Sequence, residues 1–228
     1  MANQPIIPDG RLAAAAGFVR ENAVFADIGT DHAYLPIFLC ESGRISYAVA
    51  ADVAEGPLAR ARENIGTHGL SEKIECVLCD GLSGIFPYHP TDIAVCGMGG
   101  ELIASILGAA DWIRDPDIHL ILQPMTMQPM LRRWLAENGY AVLKETLASA
   151  NGRTYPVLLC AFSGEPYPMP DADAFWGRYL LDHHGEIPDF PAYLAARKEK
   201  LNTIRAGKHR AGLPTDEEDA LLDAVKDF

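Results

Sequence analysis

The sequence predicts a doubly wound α/β fold: a mostly parallel sheet with an antiparallel closing hairpin, followed by a small helical domain. Three observations predict it. Short apolar runs alternate with helix-like stretches through the first two thirds of the chain. The last two strand-like runs follow one another with only a turn between them, so one must run antiparallel to the rest. A proline-rich stretch then separates this alternation from purely helical segments. The boundary falls near residue 165, giving an α/β domain over 1–165 and a coiled-coil-like helical domain over 166–228.

Val24–Ile28 reads as the first buried strand and is followed by a helix through Leu39. Tyr47–Asp52 is the second strand. A helix over Pro57–His68 follows, with Pro57 suited to a first turn. Ile74–Cys79 and Asp92–Cys96 are the third and fourth strands, and Glu101–Leu107 the next helix. His119–Leu122 is the fifth strand. Met130–Asn138 is a helix that Gly139 terminates. Ala141–Leu147 and Tyr155–Phe162 form the hairpin, joined through the turn residues Ala150, Asn151 and Gly152.

A linker over Ser163–Asp173 contains three prolines. Helices are expected over Phe175–His184, Pro191–Gly207 and Thr215–Asp227. Leu194, Leu201 and Ile204 fall at near-heptad spacing. Thr215 with Glu218 reads as a capping box.

Hydrophobic residues make up 49% of the 228. No apolar run reaches the roughly 18 residues that span a bilayer. The opening MANQPIIPDGRL lacks the basic-then-apolar pattern of a leader, so the expected location is cytoplasmic, with no membrane partner. The five cysteines have no disulfide-like spacing. Cys76 and Cys79 lie three apart on a predicted strand, point to opposite faces and cannot share one metal ion, so no metal is expected.

The net charge of −12 argues against a general nucleic-acid binder. Its distribution is uneven. Six basic residues lie between Arg197 and Arg210 against one acid, Glu199, and four acids follow at 216–219. Lys198, Lys200 and Arg205 are candidates for phosphate contacts. A solvated helix face is the competing reading of the same run.

In an open parallel sheet, ligands bind beyond the carboxyl ends of the strands. The first strand ends in Ala26-Asp27-Ile28-Gly29-Thr30-Asp31-His32-Ala33. Gly29 lets backbone approach a ligand, but the second and third glycines of a nicotinamide-type fingerprint are missing. Two carboxylates there would repel a pyrophosphate. They suit a ligand carrying ammonium and sulfonium charges, such as S-adenosylmethionine.

Asp52, with Val53 beside it, ends the second strand and is placed to accept ribose hydroxyls. Asp80 and Gly81 end the third and are candidates for the adenine amine. Gly97, Met98 and Gly99 follow the fourth, where the glycines predict a loop with positive backbone angles and little bulk.

These segments together resemble the bacterial tRNA (adenine-22-N1)-methyltransferase family. The matching stretches are ADIGTDHAYLP (26–36), DVAEGPLARA (52–61), DIAVCGMGGELI (92–103), LILQP (120–124), LRRWL with NGY (131–140), and the region around Tyr155. DGRL (9–12) resembles the family's N-terminal signature. The resemblance covers roughly residues 9–162. It implies a class I methyltransferase fold, S-adenosyl-L-methionine as cofactor, tRNA as partner and a C-terminal helical domain that helps bind tRNA.

The family carries Asn where this chain has Met125 and Glu where it has Pro156. Asp31 is the catalytic candidate, through a carboxylate beside the substrate's N6 amine; capping the following helix is its competing role. His32 would orient Asp31 or contact the cofactor, Arg11 would bind the cofactor carboxylate, and Tyr155 would stack on the base. Tyr34 is expected in the core. The residues leave open a same-fold methyltransferase acting on a small molecule or protein, and a non-catalytic cofactor-binding module.

Overall fold

The structure is a computed structural model and describes residues 6–228. The opening stretch read for a leader therefore falls partly on residues 1–5, outside the described residues. Seven strands form one sheet in the order β3-β2-β1-β4-β5-β7-β6. They are β1 (Val24–Ile28), β2 (Tyr47–Asp52), β3 (Ile74–Leu78), β4 (Asp92–Gly99), β5 (His119–Thr126), β6 (Tyr140–Ala150) and β7 (Arg153–Phe162). β1 to β5 are parallel, and β7 runs antiparallel to both β5 and β6. Asn151 and Gly152 both take positive φ, 51° and 71°. That is the two-residue turn whose twist matches a hairpin.

Strand alternation sends side chains to two cores. One packs Phe25, Ala48 and Ala50 beneath α1 (Gly10–Phe18), α2 (Tyr34–Glu41) and α3 (Glu55–Thr67). The other packs Ala26, Val49 and Val95 beneath α4 (Gly100–Gly108) and α5 (Gln128–Glu137). Cys76 packs against the first core and Cys79 against the second, on opposite faces as strand geometry requires.

Helix α1 has no counterpart among the predicted elements. Its signals are local: the Asp9 carboxylate accepts the Arg11 and Leu12 N–H groups at 3.0 Å, and an alanine run follows.

The glycine stretch after the fourth strand is not the predicted loop. β4 continues to Gly99 through register shifts at Cys96 and Met98, and α4 starts at Gly100. A bulge absorbs the backbone irregularity that a loop would otherwise carry. Pro156 sits on β7 opposite Leu147, beyond the stretch paired with β5, where it costs no bond to that neighbour.

After 162, α6 (Asp171–Trp176), α7 (Arg178–Asp182), α8 (Phe190–Arg210) and α9 (Asp216–Asp223) share a third core around Trp176, Leu180, Leu194, Leu201 and Leu221. Leu147 of β6 joins that core. The single helix predicted over Phe175–His184 is broken at Gly177, whose φ is 92°. A Cβ there would come within 2.9 Å of the Arg132 guanidinium and 3.1 Å of the Glu145 carboxylate. Those two form a fully buried ion pair between α5 and β6, and Arg132 Nη1 also donates to the Ala174 carbonyl at 2.8 Å.

The capping box predicted at Thr215 and Glu218 does not form. Thr215 Oγ1 donates to Asp219, and Glu218 pairs with Lys208. Leu194 and Leu201 are buried, whereas Ile204 is exposed. Among the described residues, no helix is long and apolar enough to cross a membrane.

Candidate active site

The sheet order reverses between β1 and β4, and a cleft of about 390 Å³ opens beyond their carboxyl ends. That volume lies within the range of small-ligand sites, about 300–1,000 Å³. Its lining includes Arg11, Asp27, Gly29, Thr30, Asp31, His32, Gly97 and Gln123. Seven of these eight are candidates read from the sequence. Gln123 is not, and neither are the further lining residues Leu12, Ala33, Tyr34, Leu35 and Cys96.

Local structure explains the loop after β1. The Gly29 and Thr30 N–H groups both donate to the Ala51 carbonyl, at 2.8 and 2.9 Å, which folds the chain back over β2. Gly29 has φ 77°, and a Cβ on it would overlap the Met98 methyl at 1.9 Å. So Met98 packs on Gly29 from outside the cleft lining. Gly97, with φ 78°, meets nothing within 4 Å where a Cβ would be, leaving open space. Gly99 serves as the N-cap of α4.

Asp27 is 8% exposed, and no cation pairs with it among the described residues. Burial raises its pKa to about 6; Thr30 opposes this by a hydrogen bond, and the charge of Asp52 adds to it. Burial, with Asp27 nearby, also pushes the Cys96 thiol well up, so it stays protonated.

Asp31 stands at the rim with its side chain 60% exposed. Its Oδ1 accepts from Arg60, and its Oδ2 lies 3.3 Å from His32 Nε2. The Arg60 hydrogen bond holds the Asp31 pKa below its usual value. Asp31 does not cap the following helix. That helix starts at Tyr34, and Thr30 Oγ1 accepts the Ala33 N–H at 3.1 Å. Tyr34 is not a core residue either. It is exposed at the cleft and stacks on His32 at 4.9 Å.

The remaining candidates sit around this cleft without lining it. Asp52 ends β2, and its Oδ1 accepts the Ala54 N–H at 2.8 Å. Val53 beside it is 68% exposed. Asp80 is exposed beyond β3, followed by Gly81 at φ 54°. Tyr155 is buried on β7, with the Arg11 guanidinium 5.8 Å above its ring. Arg11 also pairs with Asp9 at 2.6 Å.

The basic run on α8 is engaged in part from within, with ion pairs at Arg205 and Lys208. Lys198 Nζ donates to the Val225 carbonyl at 2.7 Å, and Arg205 pairs with Asp219 at 2.6 Å. Lys200 is exposed and has no ion pair among the described residues. A larger open cleft of about 510 Å³ adjoins this face, between Asn202 and Thr215; of its two arginines, Arg205 is paired with Asp219 and Arg210 has no ion pair among the described residues.

Comparison with known proteins fits this geometry. Residues 9–158 match the methyltransferase-domain family. The chain is 36% identical to the Bacillus subtilis tRNA (adenine(22)-N(1))-methyltransferase over 149 residues. That match spans 65% of this chain and 63% of the relative, so it leaves more than a third of the relative's length uncovered.

The solved structure of the B. subtilis M1A22 tRNA methyltransferase superposes with TM-score 0.80 at 28% identity, covering 97% of this chain and 95% of that one. A Streptococcus pneumoniae protein in complex with S-adenosyl-L-methionine superposes with TM-score 0.81 at 32% identity, over 95% and 99% of the two chains. A chain whose switch-point cleft carries Asp27, Asp31, Gly29 and the first glycine of GMGG, and which follows these structures over 95% or more of its length, belongs to the methyltransferase-domain family, in its bacterial tRNA (adenine-22-N1)-methyltransferase branch.

Proposed function

We propose that the chain transfers a methyl group from S-adenosyl-L-methionine to N1 of adenine 22 in tRNA. The observation that carries this reading is the cleft at the switch point, whose buried Asp27 pairs with no cation among the described residues. A ligand with ammonium and sulfonium charges supplies the missing counter-charge, and the residues fit it. Asp27, Gly29, Thr30 and His32 line the space beyond β1, Gly97 adds room beyond β4, and Asp52 and Asp80 stand at the next two strand ends. When bound, S-adenosyl-L-methionine supplies a methyl group on a positively charged sulfur.

Adenine N1 attacks with an in-plane lone pair, so no residue needs to remove a proton first. The chain's task is alignment and exclusion of water. Gly29 and Gly97 give close approach, and Met98 packs on Gly29. The methylated ring carries a positive charge, which a carboxylate beside the N6 amine stabilises. Asp31 takes this role. Arg60 keeps it ionised through Oδ1, and Oδ2 stays at the cleft rim beside His32. The target adenine must leave its stacked position to reach the cleft, and the helical tail supplies surface for the tRNA body.

Incubation with labelled S-adenosyl-L-methionine and unmodified tRNA, followed by mapping of the methylated nucleotide, tests the reading. One 1-methyladenosine at position 22 supports it. Transfer to a small molecule or protein instead, or cofactor binding without transfer, overturns it. Asp31→Ala is expected to keep cofactor affinity within a few-fold and abolish turnover; retained turnover removes Asp31 from the mechanism.

A further inference from the structure

The acids that line the cleft, Asp27 and Asp31, stand at the end of β1, and Asp52 and Asp80 follow at the ends of β2 and β3 outside the lining. On the other side of the switch point, in the carboxyl half of β5, the cleft is lined by a neutral hydrogen-bonding side chain, Gln123. It is 1% exposed. The Gly97 backbone N–H donates to Gln123 Oε1 at 3.1 Å. An amide whose oxygen is held by a backbone donor must present its NH₂ elsewhere. Here that group, Nε2, meets the Met125 sulfur at 3.5 Å. Arg11 Nη1 converges on the same sulfur at 3.3 Å.

Two donors therefore point at one thioether. A thioether is a weak acceptor, and a buried donor gains from exchanging it for a strong one. Methionine is also unbranched and adaptable, so its sulfur can vacate the position without moving the backbone. The sulfur marks where an acceptor atom of a ligand belongs.

Resting on the function proposed above, we infer that Gln123 is a specificity-determining residue for the substrate base, donating through Nε2 to a purine ring nitrogen, with the Met125 side chain as the cover that yields this position. The acceptor is N7 or N3, because the N1 lone pair must stay free to attack. The cationic cofactor is drawn to the acids at β1, which leaves the β5 side of the cleft for the base. Gln123 also fixes the Gly97 backbone, so one side chain ties the strand end facing the cofactor to the base it aligns.

Gln123→Glu is the discriminating variant. It keeps the side-chain length and an oxygen for the Gly97 N–H, and it removes the donor. Methyl transfer is measured for wild type and Gln123→Glu on tRNA carrying adenine, 7-deazaadenine or 3-deazaadenine at the target nucleotide. Both replacements leave N1 nucleophilic. S-adenosyl-L-methionine affinity is measured alongside by calorimetry.

Wild type is expected to lose about tenfold or more in kcat/KM on one of the two deaza substrates. Gln123→Glu is expected to be slow on adenine and indifferent to that same replacement, with cofactor affinity within about threefold of wild type. Indifference of wild type to both replacements overturns the inference, as does a loss of cofactor affinity in Gln123→Glu as large as its loss of turnover. Absence of any wild-type transfer to tRNA adenine is a different result: it overturns the proposed function, and this inference falls with it.

Discussion

Asp27 at the end of β1 and Arg132 on α5 are both charged side chains with less than a tenth of their surface exposed, at 8% and 2%. The fold treats them in opposite ways. Arg132 is met by the Glu145 carboxylate and the Ala174 carbonyl, inside a seam that joins the sheet to the helical tail. Asp27 is met by Thr30 and by the repelling charge of Asp52, and its pKa rises to about 6. A buried charge matched by its own protein holds structure together, whereas one left unmatched in a cleft is a candidate for completion by a ligand. The tail repeats the first pattern at its surface, with Arg205 on Asp219 and Lys208 on Glu218.

The largest expected effect lies in the seam. Arg132→Met leaves Glu145 buried without a counter-charge, which costs about 3–5 kcal/mol. At about 2–4 °C per kcal/mol for a chain of this size, the melting temperature should fall by roughly 6–20 °C. The double variant Arg132→Met with Glu145→Leu should recover most of that loss, because two apolar side chains replace the pair. A single variant that melts like wild type would remove the pair from the list of what joins sheet and tail, and the contrast with Asp27 would lose one side.

The next effect lies in the cleft and has the opposite sign for stability. Asp27 in the folded protein holds its proton up to about pH 6, against 3.8 for the ordinary carboxyl. The folded state therefore binds more protons within that window. Stability of the unliganded protein falls as pH rises through it, and a cost on the order of 3 kcal/mol persists above. Asp27→Asn should melt higher than wild type near neutral pH, and that advantage should vanish below about pH 4.

Cofactor affinity should respond in the reverse sense. For wild type it should rise with pH through about 6 and then level off, as the carboxylate forms. For Asp27→Asn it should be weaker by about ten- to a hundredfold and flat with pH. Calorimetry across that range reads both. A wild-type affinity independent of pH would mean that Asp27 does not face the cationic part of the ligand.

The contrast between the two regions also explains what was legible beforehand. Strands β1 and β2 are short apolar runs, each broken only by an aspartate near its end and buried on both faces, so run length located them to the residue. The acids at strand ends stood out because the sequence places them where an α/β sheet opens. Gln123 did not, since a lone glutamine after LIL carries no signal until Gly97, 26 positions away, is seen to fix its oxygen. The glycine stretch at 97–100 pointed to a loop because composition reports backbone freedom but not the bulge that lets β4 continue. Gly177 broke a helix for a tertiary reason, the close approach of Arg132 and Glu145. The basic run on α8 was visible, but its partial neutralisation depends on α9 folding back along it.

The smallest effect tests whether that neutralisation is permanent. Lys200 and Arg210 are exposed on α8 without an ion pair among the described residues, whereas Arg205 is held by Asp219. If the tail meets RNA through its free cations, Lys200→Glu with Arg210→Glu should weaken tRNA binding. Each lost phosphate contact should reduce the salt-dependence slope by about 0.7–0.9. Arg205→Glu should instead leave that slope unchanged and lower stability by at most about 1 kcal/mol, the usual worth of an exposed pair. Binding titrations at several salt concentrations separate the two. A slope reduced equally by Arg205→Glu would mean that Asp219 gives way to phosphate. The acids of α9 would then be occupants of a nucleic-acid face that leave when RNA arrives, and the tail would resemble the cleft, with a charge waiting for its ligand behind a weaker stand-in.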